Sequence, residues 1–349
     1  MFDTTFFPGA TKYWHMGKLH DWDSKEVHVM AHVLHYGSSV FEGIRAYETE
    51  RGPAIFRLDD HIDRLFSSAA VMNMDVPYTK EEIMEACRLV MRANELNSAY
   101  IRPNLFFGYG NLGLTPKACP TELTVGCWEW GAYLGEKGIK EGVHVLLLPW
   151  KRVHPSQINP SVKLGGVYAQ SNIVATHARK EGYDEGLFLN IEGRVAEGPG
   201  ENIILVKNGV VKTNDKMESV LEGLTRTTVL ELAADLGYST RVEPITLNEL
   251  YDADEVFFTG TAAEVTPITR ITDGRYNSLP KEQWQTIVVG DGRPGPVTLQ
   301  LAKLYGEVVR GQHDRYDRWL TYVYDSQSDS RPNLNGNSVA TAGEPLSNY

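Results

Sequence analysis

The stretch EGLFLNIEGRVAEGPGENIILVKNGVVKT, residues 185–213, constrains the fold more than any other part of the chain. Strand-length apolar runs alternate with glycine- and asparagine-rich breaks, a spacing too short for helices and suited to short strands joined by turns. Asn208-Gly209 is a hairpin signal, because both residues accept the positive φ that a tight turn between twisted strands demands. Helix follows in LTRTTVLELAADLGY, where Leu224, Thr228, Leu232 and Leu236 form one stripe. ADEVFFTGTAAEV then reads as a strand running into a Gly-Thr turn.

The N-terminal part mixes strand and helix periods. AIFRLDDHIDRLFSSAAVMNM starts as strand and continues as helix, with Ile62, Leu65, Phe66 and Ala69 on one face. YTKEEIMEACRLVMRANEL opens on a Thr79-x-x-Glu82 capping box and has an apolar face of Ile83, Cys87, Val90 and Met91. Two extended segments follow, SAYIRPNLFFGYG and TELTVGCWEWGAYLG, and the second runs into the glycine-rich GAYLGEKG. The pattern implies an α+β chain of two domains. A small α/β unit occupies 1–130, a linker 131–138, and a larger strand-rich unit 139–325; the polar, turn-rich tail over 326–349 is expected to be disordered.

A formal net charge of −11 argues against a broad nucleic-acid-binding face, which needs a basic footprint, but leaves room for a local pocket for a small anion. No apolar run approaches the roughly 18 residues of a membrane helix. The N-terminus, MFDTTFFPGATKYWHMG, lacks the basic and apolar regions of a signal peptide. Three cysteines, Cys87, Cys119 and Cys127, with no C-x-x-C, suggest neither a disulfide framework nor a cysteine zinc site. A cytoplasmic protein is expected.

Four local features bear on chemistry. A lone lysine is ordinarily a solvated surface charge. Lys163, however, stands just before a helix, YAQSNIVATHARKEG; a helix N-terminus and burial both disfavour an ammonium, and a lysine kept as the amine forms Schiff bases. Gly165 and Gly166 would let backbone pass close to a flat ligand. In VAEGPGENI, Glu197 ends a strand where Gly198-Pro199-Gly200 turns the chain back, so it is either a surface hairpin residue or a carboxylate aimed at a fixed partner. LEGLTRTTV places Gly-Leu-Thr at a helix start, either an ordinary cap or a phosphate site made of free amides and a hydroxyl. FTGTAAEV supplies a second Gly-Thr loop after a strand. Each has an ordinary structural reading; the four in this order are not explained by those readings together.

HYGSSVFEGIRAY, AYIRP, WGAYLG, VKLGGVYAQS, AEGPGEN, GLTR and GTAAEVTPI closely resemble the motifs of the branched-chain amino acid aminotransferases, pyridoxal-phosphate enzymes of fold type IV, from about Trp14 to Leu320. The resemblance implies a small α/β domain beside a larger β-barrel-like domain with flanking helices. It implies transfer of an amino group between L-leucine, L-isoleucine or L-valine and 2-oxoglutarate. By the same resemblance Lys163 is the catalytic lysine that bonds the cofactor, Glu197 partners its ring nitrogen, and Tyr168 hydrogen-bonds its phenolic oxygen. Arg64, Leu224, Thr225 and Thr261 would hold the phosphate, with Leu221 against the ring.

For the substrate, the resemblance assigns the α-carboxylate to Tyr100, Thr261 and the amide of Ala262, with Ala263 beside them. It assigns the side-chain pocket to Tyr36, Phe41, Gly43, Tyr133 and Tyr168, aromatic walls suited to branched aliphatic groups. Arg102 would pair with the γ-carboxylate of glutamate. Leu114, in the GNLGLTP loop, would come from a neighbouring subunit, so the active site would lie near the interface of a homo-oligomer, dimer or hexamer. No metal is implied. D-amino acid and (R)-amine aminotransferases of the same fold are the nearest alternatives. A more distant one is a metal-dependent hydrolase: His28, His32 and His35 would share a helix face, although Val27, Val29, Ala31 and Val33 alternate as in a strand.

Overall fold

The computed structural model describes residues 6–131, 134–275 and 279–324. Two eight-stranded sheets divide the strands. The first contains β1 (Lys12–His15), β2 (Lys18–Asp21), β3 (Ser39–Phe41), β4 (Ile44–Tyr47), β5 (Ala54–Phe56), β6 (Ala99–Phe107) and β7 (Thr121–Trp128), with β16 (Leu320–Tyr322) returning from the far end of the chain. The second contains β8 (Val143–Lys151), β9 (Glu185–Leu189), β10 (Asn202–Lys207), β11 (Val210–Thr213), β12 (Ser239–Val242), β13 (Glu255–Gly260), β14 (Glu264–Asp273) and β15 (Gln285–Val288). The helices are α1 (His32–Tyr36), α2 (Leu58–Val71), α3 (Lys80–Ala93), α4 (Gly135–Glu141), α5 (Tyr168–Lys180), α6 (Leu224–Asp235), α7 (Leu247–Tyr251) and α8 (Pro296–Val308).

The first sheet is antiparallel throughout, and its long pair β6–β7 runs in register from Tyr100↔Trp128 to Phe107↔Thr121. Helices α2 and α3 cover one face, and of the expected apolar residues Ile62, Leu65, Ala69, Ile83, Cys87, Val90 and Met91 are fully buried while Phe66 is partly buried. The capping box at Thr79 forms on both sides, the side chain accepting from the Glu82 amide while the Glu82 carboxylate accepts from the Thr79 amide. It satisfies helix-end donors that packing leaves open.

The second sheet follows the order β12-β11-β10-β13-β14-β8-β9 and is mixed, with β8 parallel to both β9 and β14. Its ends approach one another: Val195 bridges to Leu189, and its amide donates to the Ile245 carbonyl. That bends the sheet towards a barrel around Val145, Leu147, Leu187, Ile203, Leu205, Phe258 and Ile271. The hairpin at Asn208-Gly209 has positive φ at both residues (50° and 74°), as its sequence requires.

Two expectations meet the structure only in part. Helix α4 begins inside the segment read as a linker, at Gly135, while Ala132 and Tyr133 lie outside the described residues, as does the tail over 326–349. Strand β16 pairs with β5, Leu320 opposite Phe56, so the chain end returns to the first sheet rather than staying with residues 139–325. A shared apolar layer explains why: Tyr47, Ala54 and Phe56 pack with Ile204, Phe257, Leu301, Tyr305 and Trp319.

Candidate active site

Lys163 is fixed through its backbone to the first sheet. Its N–H donates to Ser68 Oγ on α2 at 3.1 Å, and its carbonyl accepts from the Phe41 amide at 3.1 Å. The side chain points the other way, Nζ donating to Tyr168 Oη at 2.6 Å at the entrance of α5. Gly165 and Gly166 have a different purpose from the expected one. Neither lines the pocket described below. A Cβ on Gly165 would stand 2.2 Å from Ser39 Oγ, and one on Gly166 would stand 3.3 Å from the Gly37 carbonyl. The glycines let this segment press against the residues 37–39 backbone, and so set where Lys163 stands.

Glu197 lies just beyond the Leu189–Val195 bridge, at a turn closed by the Gly198 amide donating to the Glu201 carbonyl. It is buried. Oε1 accepts from Arg152 Nε at 2.9 Å, while Oε2 accepts from the Leu221 amide at 3.0 Å and from Asn202 Nδ2 at 3.3 Å. Burial pushes its carboxyl above the usual range, against the opposing pull of Arg152, the Leu221 amide and Lys163. The surface-hairpin reading of this segment is therefore wrong. Arg152 directly follows β8, and Asn202, the last residue of the AEGPGEN motif, opens β10; nothing local to either residue shows that it meets Glu197.

Amides, hydroxyls and a guanidinium that could hold an anion line the same pocket as Lys163. Gly223 caps α6 with no side-chain acceptor, leaving the amides at Leu224 and Thr225 for a ligand. Thr261 enters from the β13–β14 turn. Arg64 reaches in from α2, its guanidinium forked on Glu42 (2.6 and 2.8 Å) with Nη1 donating to the Glu222 carbonyl at 3.1 Å. Burial disfavours the Glu42 charge, but Arg64 and His61 outweigh it and hold the carboxyl well below the usual range. Glu42 is thus the unforeseen anchor of Arg64. It stands within the FEGIR motif, and only the tertiary contact gives it a function.

These groups share one pocket. Arg64, Lys163, Tyr168, Glu197, Leu221, Leu224, Thr225 and Thr261, the whole expected cofactor set, line it together with Arg152, Glu201 and Asn202. Thr259 Oγ1, also in its wall, is buried and has no hydrogen-bond partner among the described residues. An amine, a phenol, a buried carboxylate and a cup of amides, hydroxyls and a guanidinium fit pyridoxal phosphate, which presents a carbonyl, a phenolic oxygen, a ring nitrogen and a phosphate.

The expected substrate residues divide. Phe41 packs edge-on against Tyr168 with centroids 4.8 Å apart, and Arg102 Cζ lies 4.7 Å from the Phe41 ring centroid. Arg102 Nη2 donates to Tyr100 Oη at 3.2 Å, while its buried Nε has no partner among the described residues. Gly43 gives Tyr100 its place, since a Cβ there would meet Tyr100 Oη at 1.9 Å. Ala262 packs on the Tyr100–Trp128 aromatic cluster, and the Ala263 carbonyl is occupied by Thr266 Oγ1 at 2.7 Å. Phe41 and Arg102 open onto a second hollow with Trp22, Asn104 and Trp128. Tyr36 and Leu114 are not brought in. Tyr36 is exposed and donates to the Leu112 carbonyl at 2.8 Å, and Leu114 is 84% exposed. Tyr133 lies outside the described residues.

The histidines do not assemble a metal site. His32 begins the short α1 and is buried, its ring nitrogens 2.8 Å from Ser38 Oγ and 3.0 Å from the Gly113 carbonyl, whereas His28 precedes the helix. Among the described residues no three His, Cys, Asp or Glu side chains cluster for a metal, and no helix is long and apolar enough to cross a membrane.

Residues 39–271 match the family described as amino-transferase class IV. The chain is 44% identical over 310 residues to the branched-chain-amino-acid aminotransferase of Pseudomonas aeruginosa, covering 89% of this chain and 96% of that one. Among solved structures, it superposes on the Escherichia coli branched-chain amino acid aminotransferase at a TM-score of 0.84 and 39% identity, covering 90% of this chain and 100% of that one. A T.th. branched-chain amino acid aminotransferase solved with pyridoxamine 5'-phosphate gives 0.83 and 42%, with 90% and 99% covered.

Proposed function

The chain belongs to the class IV aminotransferases, and on that premise we propose that it exchanges the amino group between L-leucine, L-isoleucine or L-valine and 2-oxoglutarate. It is a pyridoxal-phosphate-dependent transaminase of the α+β, fold type IV architecture. One observation carries the reading of the site: Lys163, Tyr168, Glu197 and the open N-terminus of α6 line a single pocket.

Pyridoxal phosphate, when bound, supplies the carbonyl that exchanges for the amino group and the ring that takes up an electron pair. Lys163 Nζ would hold the carbonyl end. The same amine, when free, would be the group that moves a proton at the substrate α-carbon. Glu197, backed by Arg152 and Asn202, supports a proton on the ring nitrogen. Tyr168 donates to the phenolic oxygen, Leu221 packs on the ring, and Arg64, Thr225, Thr261 and the amides near Leu224 hold the phosphate.

Tyr100, Thr261 and the Ala262 amide would take the α-carboxylate common to both substrates. Phe41, Gly43 and Tyr168, with Tyr36 and Tyr133, would wall the aliphatic side chain, and Arg102 would meet the glutamate γ-carboxylate. Leu114 would reach the site of a second subunit, which makes the working enzyme a homo-oligomer. The same reading puts the protein in the cytoplasm and divides the chain at 131–138, with β16 crossing back.

Purified protein should be yellow, and its visible absorbance should shift on adding L-leucine or L-glutamate. Lys163→Ala should lose that band and turnover together. Initial rates over branched-chain, aromatic and D-amino acids and (R)-amines test the substrate class. A colourless protein that takes up no added pyridoxal phosphate overturns the reading.

A further inference from the structure

Glu264 opens β14 directly after the Thr261–Ala263 turn and pairs across it with Gly260. Its φ is +54°, a left-handed conformation that costs a residue with a Cβ and that glycine adopts freely. Local backbone preference therefore argues for glycine at this position. What holds a glutamate there is its side chain. Oε1 accepts from Arg45 Nη1 at 2.8 Å and from Tyr47 Oη at 2.9 Å. Both donors stand on β4 of the first sheet, while Glu264 belongs to the second. Arg45 is braced in turn: Cζ lies 4.9 Å from the Tyr47 ring centroid, and Nη2 donates to the Trp130 carbonyl at 3.4 Å. Tyr47 is buried beside the equally buried Tyr305, whose hydroxyl faces Thr225 in the Lys163 pocket.

We propose that Glu264 is a positioning residue: it clamps the Thr261–Ala263 turn to β4, and so sets the distance between the turn's donors and Tyr100 across the substrate carboxylate. Gly43, next to β4, is where Tyr100 Oη rests, and Ala262 packs on the Tyr100 cluster. The two halves of the proposed carboxylate site thus come from different sheets, and the Glu264 carboxylate ties those sheets together at that point. Strained backbone retained at a functional turn, supported from a second element, is the physical signature of such a device. The inference rests on the carboxylate site proposed above.

Glu264→Gly separates the clamp from mere stability, because it removes the side chain while relieving the positive φ. The clamp predicts that KM for L-leucine and for L-glutamate both rise about tenfold in this variant, with kcat changed by less than about threefold. Binding of 4-methylvaleric acid, a carboxylate with no amino group to transfer, should weaken by a similar factor in calorimetry. Glu264→Gln, which keeps an acceptor for Tyr47 and Arg45, should recover most of both. Unchanged KM values and unchanged acid binding in Glu264→Gly overturn the proposal, as does an equal loss in Glu264→Gln. Failure of the substrate assignment would show differently, as wild-type protein that does not transaminate leucine or glutamate at all.

Discussion

Glu201 illustrates what burial does to one residue. It lines the same pocket as Lys163 and Glu197 and accepts from the Gly200 amide at 3.0 Å. Burial and the nearby Glu185 push its carboxyl from 4.5 up to about 8, against the Gly200 amide and Arg179, with Glu197 adding to the rise. A carboxyl that holds its proton more tightly folded than unfolded contributes stability that is complete below pH 4.5 and is lost as pH rises towards about 8. The urea midpoint of the wild type should fall across that window, and Glu201→Gln, neutral throughout, should flatten the fall; parallel pH profiles would disprove the assignment. Arg102 makes a substrate-level prediction. One of its donors, Nε, is buried and has no partner among the described residues, and its guanidinium lies over Phe41 and Tyr100. Arg102→Ala should cut kcat/KM for glutamate by about thirtyfold or more, the worth of a charge-assisted hydrogen bond, and for leucine by no more than about threefold. Equal losses would remove its proposed role.

At the level of elements, the approach of the Lys163 segment to β3 decides where the Lys163 amine stands. Gly165 has only Ser39 in the way: without that hydroxyl, the next atoms a Cβ would meet are Ser39 carbonyl oxygen at 3.4 Å and Ser39 Cβ at 3.5 Å. Gly165→Ala should therefore destabilise by about 1–3 kcal/mol, the usual cost of overpacking, and lower pyridoxal-phosphate affinity by displacing Lys163. Adding Ser39→Ala should restore most of the melting temperature and of the affinity. If the double variant is no better than the single, the clash is not what the glycine avoids. The same element shows why the helix entrance misled in detail: a glycine pair is consistent with any close neighbour, and the neighbour is a strand from the other sheet.

On the scale of the whole molecule, the pocket is a junction. Arg64 and Glu42 arrive from the first sheet and its helices, Glu197, Thr225 and Thr261 from the second, and the layer joining Tyr47 and Phe56 to Phe257 and Tyr305 keeps the halves together. Leu114 stands outside it, 84% exposed on a loop tied down through Tyr36. The shared site proposed above predicts an oligomer in sedimentation. Leu114→Asp should weaken binding of the branched-chain substrate while leaving the visible absorbance of the cofactor intact; full activity in a monomeric wild type would count against a shared site. Much was legible in the sequence: the hairpin at Asn208-Gly209, the capped α3 and the strand-to-helix change after Phe56. Those depend on near neighbours in the chain, through φ preference, capping and hydrophobic period. Glu42 beneath Arg64, Arg152 behind Glu197, the clearance at Gly165, the return of β16 and the clamp at Glu264 were not legible. Each joins residues far apart in sequence, within one sheet for Glu42 and Arg152 and across the two for Gly165 and Glu264, and only the tertiary fold brings their atoms together.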